Sequence, residues 1–319
     1  MVRGVIASEG MRRNFGGTAA ALAALACWSI GPIFIKLLTR HFDAWTQNFY
    51  RYLVACLFLL PVLLTARAKG QIARGVWLRA LAPAAFNVVM QTFWAFSYYY
   101  LNPAFMNLMS QSSVLWITLF SFIIFAEERA LLARATFWMG LIFSLSGLAG
   151  VILSGRNFRV EGTTIGVLLT LSSSLTWALY VISARIAFRR TPSEQGFAVI
   201  CLYTVAGLFA TALIFSHPFR NLPAEPGPWL YVLISAIVPI ALAHVSYYAS
   251  MKRIGSTVPA LILLALPFLV LPQSILVFHE PFIPAQWLWG LVLIAGCVCS
   301  ILSQRKPASV TPNGRADAR

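Results

Sequence analysis

Long apolar runs separated by short polar stretches set the pattern of this chain. Ten such runs lie near 17–38, 45–65, 78–100, 104–126, 135–154, 162–187, 197–216, 228–250, 256–278 and 286–303. Read as helices rising about 1.5 Å per residue, they match the roughly 30 Å of hydrocarbon in a bilayer. The pattern predicts an all-α integral membrane protein with ten transmembrane helices. The first run has no clear small-residue cleavage site and a counterpart in the second half, so it is read as a retained span, not a signal peptide.

The runs also repeat. Cys27-Trp28-Ser29-Ile30 with Lys36 reappears 149 positions later as Thr176-Trp177-Ala178-Leu179 with Arg185, and Ser97-Tyr98-Tyr99 reappears at the same offset as Ser246-Tyr247-Tyr248. Five spans per half is an odd number, so the halves enter the membrane in opposite directions. This predicts an inverted repeat about an axis in the membrane plane, a common build of secondary transporters. The expected organisation is an N-terminal segment 1–16, a first repeat 17–154, an outside linker 155–161, a second repeat 162–303 and a disordered polar tail 304–319.

Composition and charge fit this reading. Hydrophobic residues make up 59% of the chain and charged residues 10%, against about 25% charged in soluble domains. The net charge of +15 is spread in short clusters between the runs, which argues against a nucleic-acid partner. With the N-terminus inside, the cytoplasmic segments carry 18 basic residues and the outer segments six: Lys36, Arg40, Arg51, Arg156, Arg159 and Arg220. The positive-inside rule then places both termini in the cytoplasm of a multi-pass protein of the cell (inner) membrane. The lipid bilayer is the expected solvent. Cys27, Cys56, Cys201, Cys297 and Cys299 all lie in apolar runs without metal-ligand spacing, so neither a disulfide framework nor a metal or cofactor site is expected. No phosphate-binding loop, zinc-hydrolase motif or nucleophile elbow occurs, and the chain is read as a non-enzyme.

Polar side chains inside the runs mark the candidate substrate path, because they are costly in lipid. Asn87, Gln91, Trp94 and Tyr98 share one helical face of the third span, and Asn107, Gln111 and Thr118 one face of the fourth. These two stripes are read as lining a cavity, with hydrogen bonding between the two helices as the alternative. His244 is the histidine deepest in a span and the candidate for proton coupling. Trp28, Trp177, Tyr180 and Tyr247 are candidate aromatic walls. Arg51, placed toward the outer end, is a candidate for attracting an anionic group. Lys36 and Arg185 are expected to snorkel to the interfaces. Pro267 and Pro272 interrupt the ninth span and mark it as a gate or hinge. Gly140, Gly147, Gly150, Gly290 and Gly296 permit close helix contact, within the chain or in a homodimer.

The two halves resemble the EamA repeat of the drug/metabolite transporter superfamily. The residues that carry the resemblance are Ala26-Cys27-Trp28-Ser29 and Leu175-Thr176-Trp177-Ala178-Leu179-Tyr180, Arg51 in Phe49-Tyr50-Arg51-Tyr52, and a fourth-helix pattern that runs from Lys252-Arg253-Ile254-Gly255-Ser256 through Pro267 to His279-Glu280. The first half ends that helix at Phe125-Ala126-Glu127, with Glu128 as a second candidate for the closing glutamate. Val114 stands thirteen residues before Glu127, where the second half has Pro267, so the first fourth span is expected to be straighter. The resemblance implies a cavity formed by spans 3, 4, 8 and 9, flanked by 1, 2, 6 and 7, with 5 and 10 outside. It implies a secondary transporter, an exporter or exchanger of small polar metabolites such as amino acids, working by alternating access. Phosphorylated sugars, nucleotide sugars or lipid-linked substrates are the alternative cargo. A membrane-embedded enzyme or structural membrane protein is the alternative class.

Overall fold

The computed structural model describes residues 2–101, 103–154, 164–279 and 284–303. The linker 155–161, the tail 304–319 and Glu280 lie outside the described residues, and so do the side chains of residues 2–13. Among the described residues every regular element is a helix. In chain order these are α1 (Val2–Leu38), α2 (Ala44–Ala68), α3 (Arg74–Tyr100), α4 (Pro103–Ser110), α5 (Ser112–Ile124), α6 (Ala135–Leu153), α7 (Thr164–Ala187), α8 (Ser193–Phe215), α9 (Pro226–Ala236), α10 (Ala243–Ile254), α11 (Thr257–Leu263), α12 (Leu266–Phe278) and α13 (Pro284–Leu302). Alpha-helix begins at Val2, so α1 runs through the expected N-terminal segment.

Six stretches among the described residues are long and apolar enough to cross a membrane: Asn14–Leu38, Ala44–Ala68, Thr164–Ala187, Ser193–Phe215, Pro226–Ile254 and Thr257–Phe278. This is an integral, multi-pass membrane protein. The expected ten spans are not all met by that measure. α3 is 27 residues long, but Asn87, Gln91, Thr92, Ser97 and its tyrosines lower its apolarity, and the fourth run is split into α4 and α5. Leucines and isoleucines such as Leu57, Leu64, Ile123, Ile142, Leu168 and Ile214 are exposed, as lipid-facing positions are in a bundle whose solvent is hydrocarbon.

The helix breaks have local causes. α11 stops at Leu263, four residues before Pro267, where a proline ring clashes with the carbonyl and removes its donor. Pro239 sits inside the π-helical segment Ile237–Leu242 that joins α9 to α10. The first half breaks too, at Gln111, against the expectation of a straighter fourth span. No proline is needed there: Ser110 Oγ and Gln111 Nε2 donate to the Asn107 carbonyl at 2.6 and 3.2 Å. These side chains occupy the acceptor that the helical ladder uses. The break lies three residues before Val114, as the second break starts three residues before Pro267.

Packing follows the repeat. α3 lies against α7 as α1 lies against α9 and α10; α2 pairs with α8, α6 with α13, and α4 with α12. Exchanging the two halves carries each of these pairs into itself or into another. Equivalent residues therefore meet across the exchange. The rings of Trp28 and Trp177 stand 5.4 Å apart, edge to face, and Cys201 Sγ lies 3.8 Å from the carbonyl of Tyr52, its mate at 149 positions. Gly147 leaves no room for a Cβ against the backbone of Leu293, and Gly296 none against Ser144. Gly150 and Gly290 are likewise filled by Trp289 and Phe268, so these four glycines serve packing inside the chain.

Candidate functional site

Between the halves lies a cavity of about 120 Å³, room for about four waters at their liquid volume. α1 supplies Trp28, Pro32 and Ile35; α2 supplies Arg51; α3 supplies Met90, Gln91 and Trp94. Asn107, Ser110, Gln111 and Ser113 enter at the α4–α5 break, and Ser173, Ser174 and Trp177 come from α7. Pro239, Ile240 and His244 come from the π-helical segment and α10, while Leu263 and Leu266 flank the second break. Both helix breaks thus border the cavity, where side chains can compensate the interrupted backbone.

Eight of the sequence candidates are brought together here: Trp28, Arg51, Gln91, Trp94, Asn107, Gln111, Trp177 and His244. Four aromatic or amide candidates are not. Asn87 donates to Tyr52 Oη (3.2 Å) and Thr204 Oγ1 (3.1 Å), tying α3 to α2 and α8. Tyr98 is fully buried and accepts from Asn107 Nδ2 at 3.2 Å. Tyr180 accepts from Tyr248 Oη at 2.7 Å. Tyr247 backs the tryptophans, its ring 5.1 Å from that of Trp28. The polar stripe of the third span is therefore divided: Gln91 and Trp94 face the cavity, while Asn87 and Tyr98 hold helices together. Pro267 adjoins the cavity wall next to Leu266, and Pro272 lies inside α12 away from the wall.

Arg51 sits deeper than its sequence position near the outer end implied. It is seven residues into α2, about 10 Å along the axis, and 2% exposed. Its Nε donates to Ser235 Oγ at 3.2 Å, and its Nη1 has no hydrogen-bond partner. Gln91 Oε1, Asn107 Oδ1 and His244 Nε2 are also buried without partners. His244 Nδ1 lies 2.8 Å from the Ile240 carbonyl, so with the ring proton there Nε2 is an acceptor. Phe197 stacks on the imidazole at 4.5 Å, and Trp28 meets it edge-on at 5.2 Å.

Beyond Ile117 and Ala260 of the lining, on the same helices, stands a charged cluster. Arg185 does not snorkel; its Nη1 binds Glu128 and donates to Ser256 Oγ at 2.7 Å, its Nη2 lies 3.5 Å from Glu127, and its guanidinium covers the Phe125 ring at 3.7 Å. Glu128, not the exposed Glu127, is the buried glutamate. It accepts from the amides of Ser256 (2.8 Å) and Thr257 (3.0 Å) at the start of α11 and from the Thr257 hydroxyl, where a helix N-terminus favours a carboxylate. Gly255 lets it approach: with φ 83° it closes α10, and a Cβ there stands 2.7 Å from Glu128 Oε1. At the other end Lys36 donates to the carbonyls of Tyr98 (2.8 Å) and Leu101 (3.4 Å) at the close of α3.

Sequence reasoning passed over Ser173, Ser174, Ser110 and Pro239. The signal for the two serines was present, since they lie four and three residues before Trp177 and so share its face.

Apolar helices packed as two exchangeable halves around a buried polar and aromatic cavity define a membrane transporter. The EamA-like transporter family model matches residues 15–153 and 164–302, and the chain belongs to that family, with two repeats. It is 24% identical over 312 residues to the inner membrane transporter YhbE of Escherichia coli K12, covering 92% of this chain and 94% of that one. It is 22% identical over 285 residues to a transporter of Archaeoglobus fulgidus, covering 88% and 95%. Both relatives are themselves uncharacterized. A solved protein crystal structure superposes with a TM-score of 0.69 at 20% identity, over 91% of this chain and 99% of that one, and shares the fold.

Proposed function

We propose that the protein is a secondary exporter or exchanger of small polar metabolites of amino-acid size, working by alternating access of two inverted halves of five spans each, with both termini in the cytoplasm. The observation that carries this reading is the polar and aromatic cavity at the junction of the halves. Its size in this conformation suits a small molecule, of the order of the six heavy atoms that a cavity of about 150 Å³ holds. The exchange of helix pairs between halves supports a rocking motion about a shared axis. Opening the Arg185 end requires separating Glu128 from the start of α11, which makes α11 and α12, joined at the Pro267 break, the moving wall.

Purified protein in proteoliposomes tests the reading. Counterflow of amino acids is measured with and without a proton gradient, the gradient arm reporting whether His244 couples protons to transport. Gln91→Leu and Gln111→Leu are each expected to lower flux about tenfold, the loss of one hydrogen bond to substrate, with unchanged membrane insertion. Wild-type flux in both variants removes these residues from the substrate path.

A further inference from the structure

A second pocket lies at the Lys36 end, between the loop 39–43 that joins α1 to α2 and the loop 216–225 that joins α8 to α9. It is open, with a volume of about 370 Å³, that of roughly twelve waters. Its lining includes His41, Asp43, Ser216, His217, Arg220 and Asn221, and none of its residues borders the central cavity. Its backbone is anchored. Tyr99 Oη donates to the Phe42 carbonyl at 2.6 Å, Tyr50 Oη to that of Pro218 at 3.0 Å, and Trp229 Nε1 to that of Pro223 at 3.0 Å. The Arg220 amide closes a turn on the His217 carbonyl at 2.9 Å, and Asn221 follows in the left-handed conformation (φ 52°) that asparagine tolerates. The repeat shows what is missing here. At the Arg185 end Gln195 donates to Gln71 and joins the corresponding loops. The 149-residue offset carries Gln71 to Arg220 and Gln195 back to Thr46. Thr46 is short and turns to Asp43 and Ser216. Among the described residues, the Arg220, His41 and His217 side chains make no hydrogen bond or ion pair.

We propose that this pocket is a binding site for a phosphate group, held by Arg220 with His41 and His217 and bridging the loops of the two halves. It stands apart from the central cavity and does not depend on the transport reading. The Arg220 guanidinium offers a fork of N–H donors that matches phosphate. Each imidazole offers at least one N–H in either protonation state, and the Asn221 amide offers two. Asp43 is the acidic side chain of the lining, and its oxygens are already engaged. Oδ1 accepts from the amides of Trp45 and Thr46 at 3.0 Å each, and Oδ2 from the hydroxyls of Thr46 (2.6 Å) and Ser216 (2.8 Å). Its charge also sits on the positive end of α2. A tetrahedral phosphate directs oxygens to both loops at once, where a planar carboxylate directs its two one way. Two sources present that group beside a bilayer, a phospholipid headgroup and a free phosphate ester. Phe215 and Phe219, each 62% exposed, lie next to Ser216 and Arg220 in the chain and favour the lipid.

The test uses the full chain in two arms. In the first, the protein in a maltoside detergent and phosphate-free buffer is titrated with glycerol 3-phosphate by calorimetry, with succinate as the carboxylate probe. In the second, nanodiscs carry increasing phosphatidylglycerol, and the lipid retained on release is counted by native mass spectrometry. At least one arm is expected to show saturable binding that Arg220→Gln weakens about tenfold or more, the loss of a charge-assisted hydrogen bond. His41→Gln and His217→Gln are expected to weaken it less. All three side chains are exposed, and an unchanged thermal midpoint without phosphate reports that each variant folds. Gln91→Leu, in the central cavity, is expected to leave this binding as it is. Arg220-dependent binding in the first arm alone upholds the site for a free ester, and in the second alone for a lipid headgroup. Absence of binding in both arms overturns the proposal. So does equal binding by wild type and Arg220→Gln, or succinate bound as tightly as glycerol 3-phosphate. A loss with Gln91→Leu equal to that with Arg220→Gln puts the phosphate in the central cavity and also overturns it.

Discussion

Lys36 and Arg185 end the same span of the repeat, 149 positions apart, yet they fasten different things. Lys36 donates to two neutral carbonyls at the close of α3. Arg185 donates into a buried carboxylate that also caps the next helix. The flanking pair α2–α8 reverses the bias. At the Lys36 end Asp43 joins the two helices, accepting from Ser216 Oγ at 2.8 Å and from Thr46 Oγ1 at 2.6 Å. At the Arg185 end a neutral amide pair does so, Gln195 Nε2 to Gln71 Oε1 at 3.2 Å. A repeated fold can thus have symmetric packing and unsymmetric closures, with the charged tie moved from one helix pair to another.

The comparison breaks most visibly at Glu128. Glu128→Gln leaves a buried arginine without its main partner, a loss of about 3–5 kcal/mol for such pairs. The expected result is a large fall in thermal midpoint, and labelling of a cysteine placed at Ser174 by an impermeant thiol reagent that rises when the reagent is on the Arg185 side. Unchanged labelling there means the cluster does not close that end. Lys36→Met is expected to cost less, about 1.5–3 kcal/mol for bonds from one charged donor, and to raise labelling from the opposite side. An effect equal to that of Glu128→Gln removes the asymmetry. Asp43→Ala is the smallest change, about 1 kcal/mol for an N-cap.

Asp43 also predicts a pH dependence. Burial pushes its carboxyl up, but the hydroxyls of Thr46 and Ser216 and the amides of Thr46 and Trp45 together outweigh burial and hold it below its ordinary value of 3.8. A lowered folded value means the stabilisation is complete above the ordinary value and is lost as pH falls through the lowered one. Thermal midpoints of wild type and Asp43→Ala should therefore converge in acid below about pH 4 and differ above it. A gap that is constant with pH removes the carboxylate from the account.

Much of the molecule was legible from period and offset. The apolar runs located the helices, and the 149-residue offset named pairs that meet, Trp28 with Trp177 above all. Half of the candidate stripe on the third span packs between helices and does not border the cavity, because helical spacing gives a face without naming its neighbour. Asn87 and Gln91 are one turn apart, yet Asn87 meets Tyr52 and Thr204 whereas Gln91 meets the cavity. The break at Gln111 escaped notice because proline was taken as the signal for breaking, while a carbonyl captured by Ser110 and Gln111 side chains has the same effect. The choice between Glu127 and Glu128 depended on the positive φ of Gly255, 127 residues away in sequence.

The glycine seam between α6 and α13 has a mechanical consequence. Backbone meets backbone at Gly147 and at Gly296, so neither helix can slide along the other without first lifting away. In the rocking motion proposed above, the seam is the expected fixed axle. In a deuterium-exchange time course its amides should stay dark under turnover conditions, while those bordering the breaks at Gln111 and Leu264 brighten with each cycle.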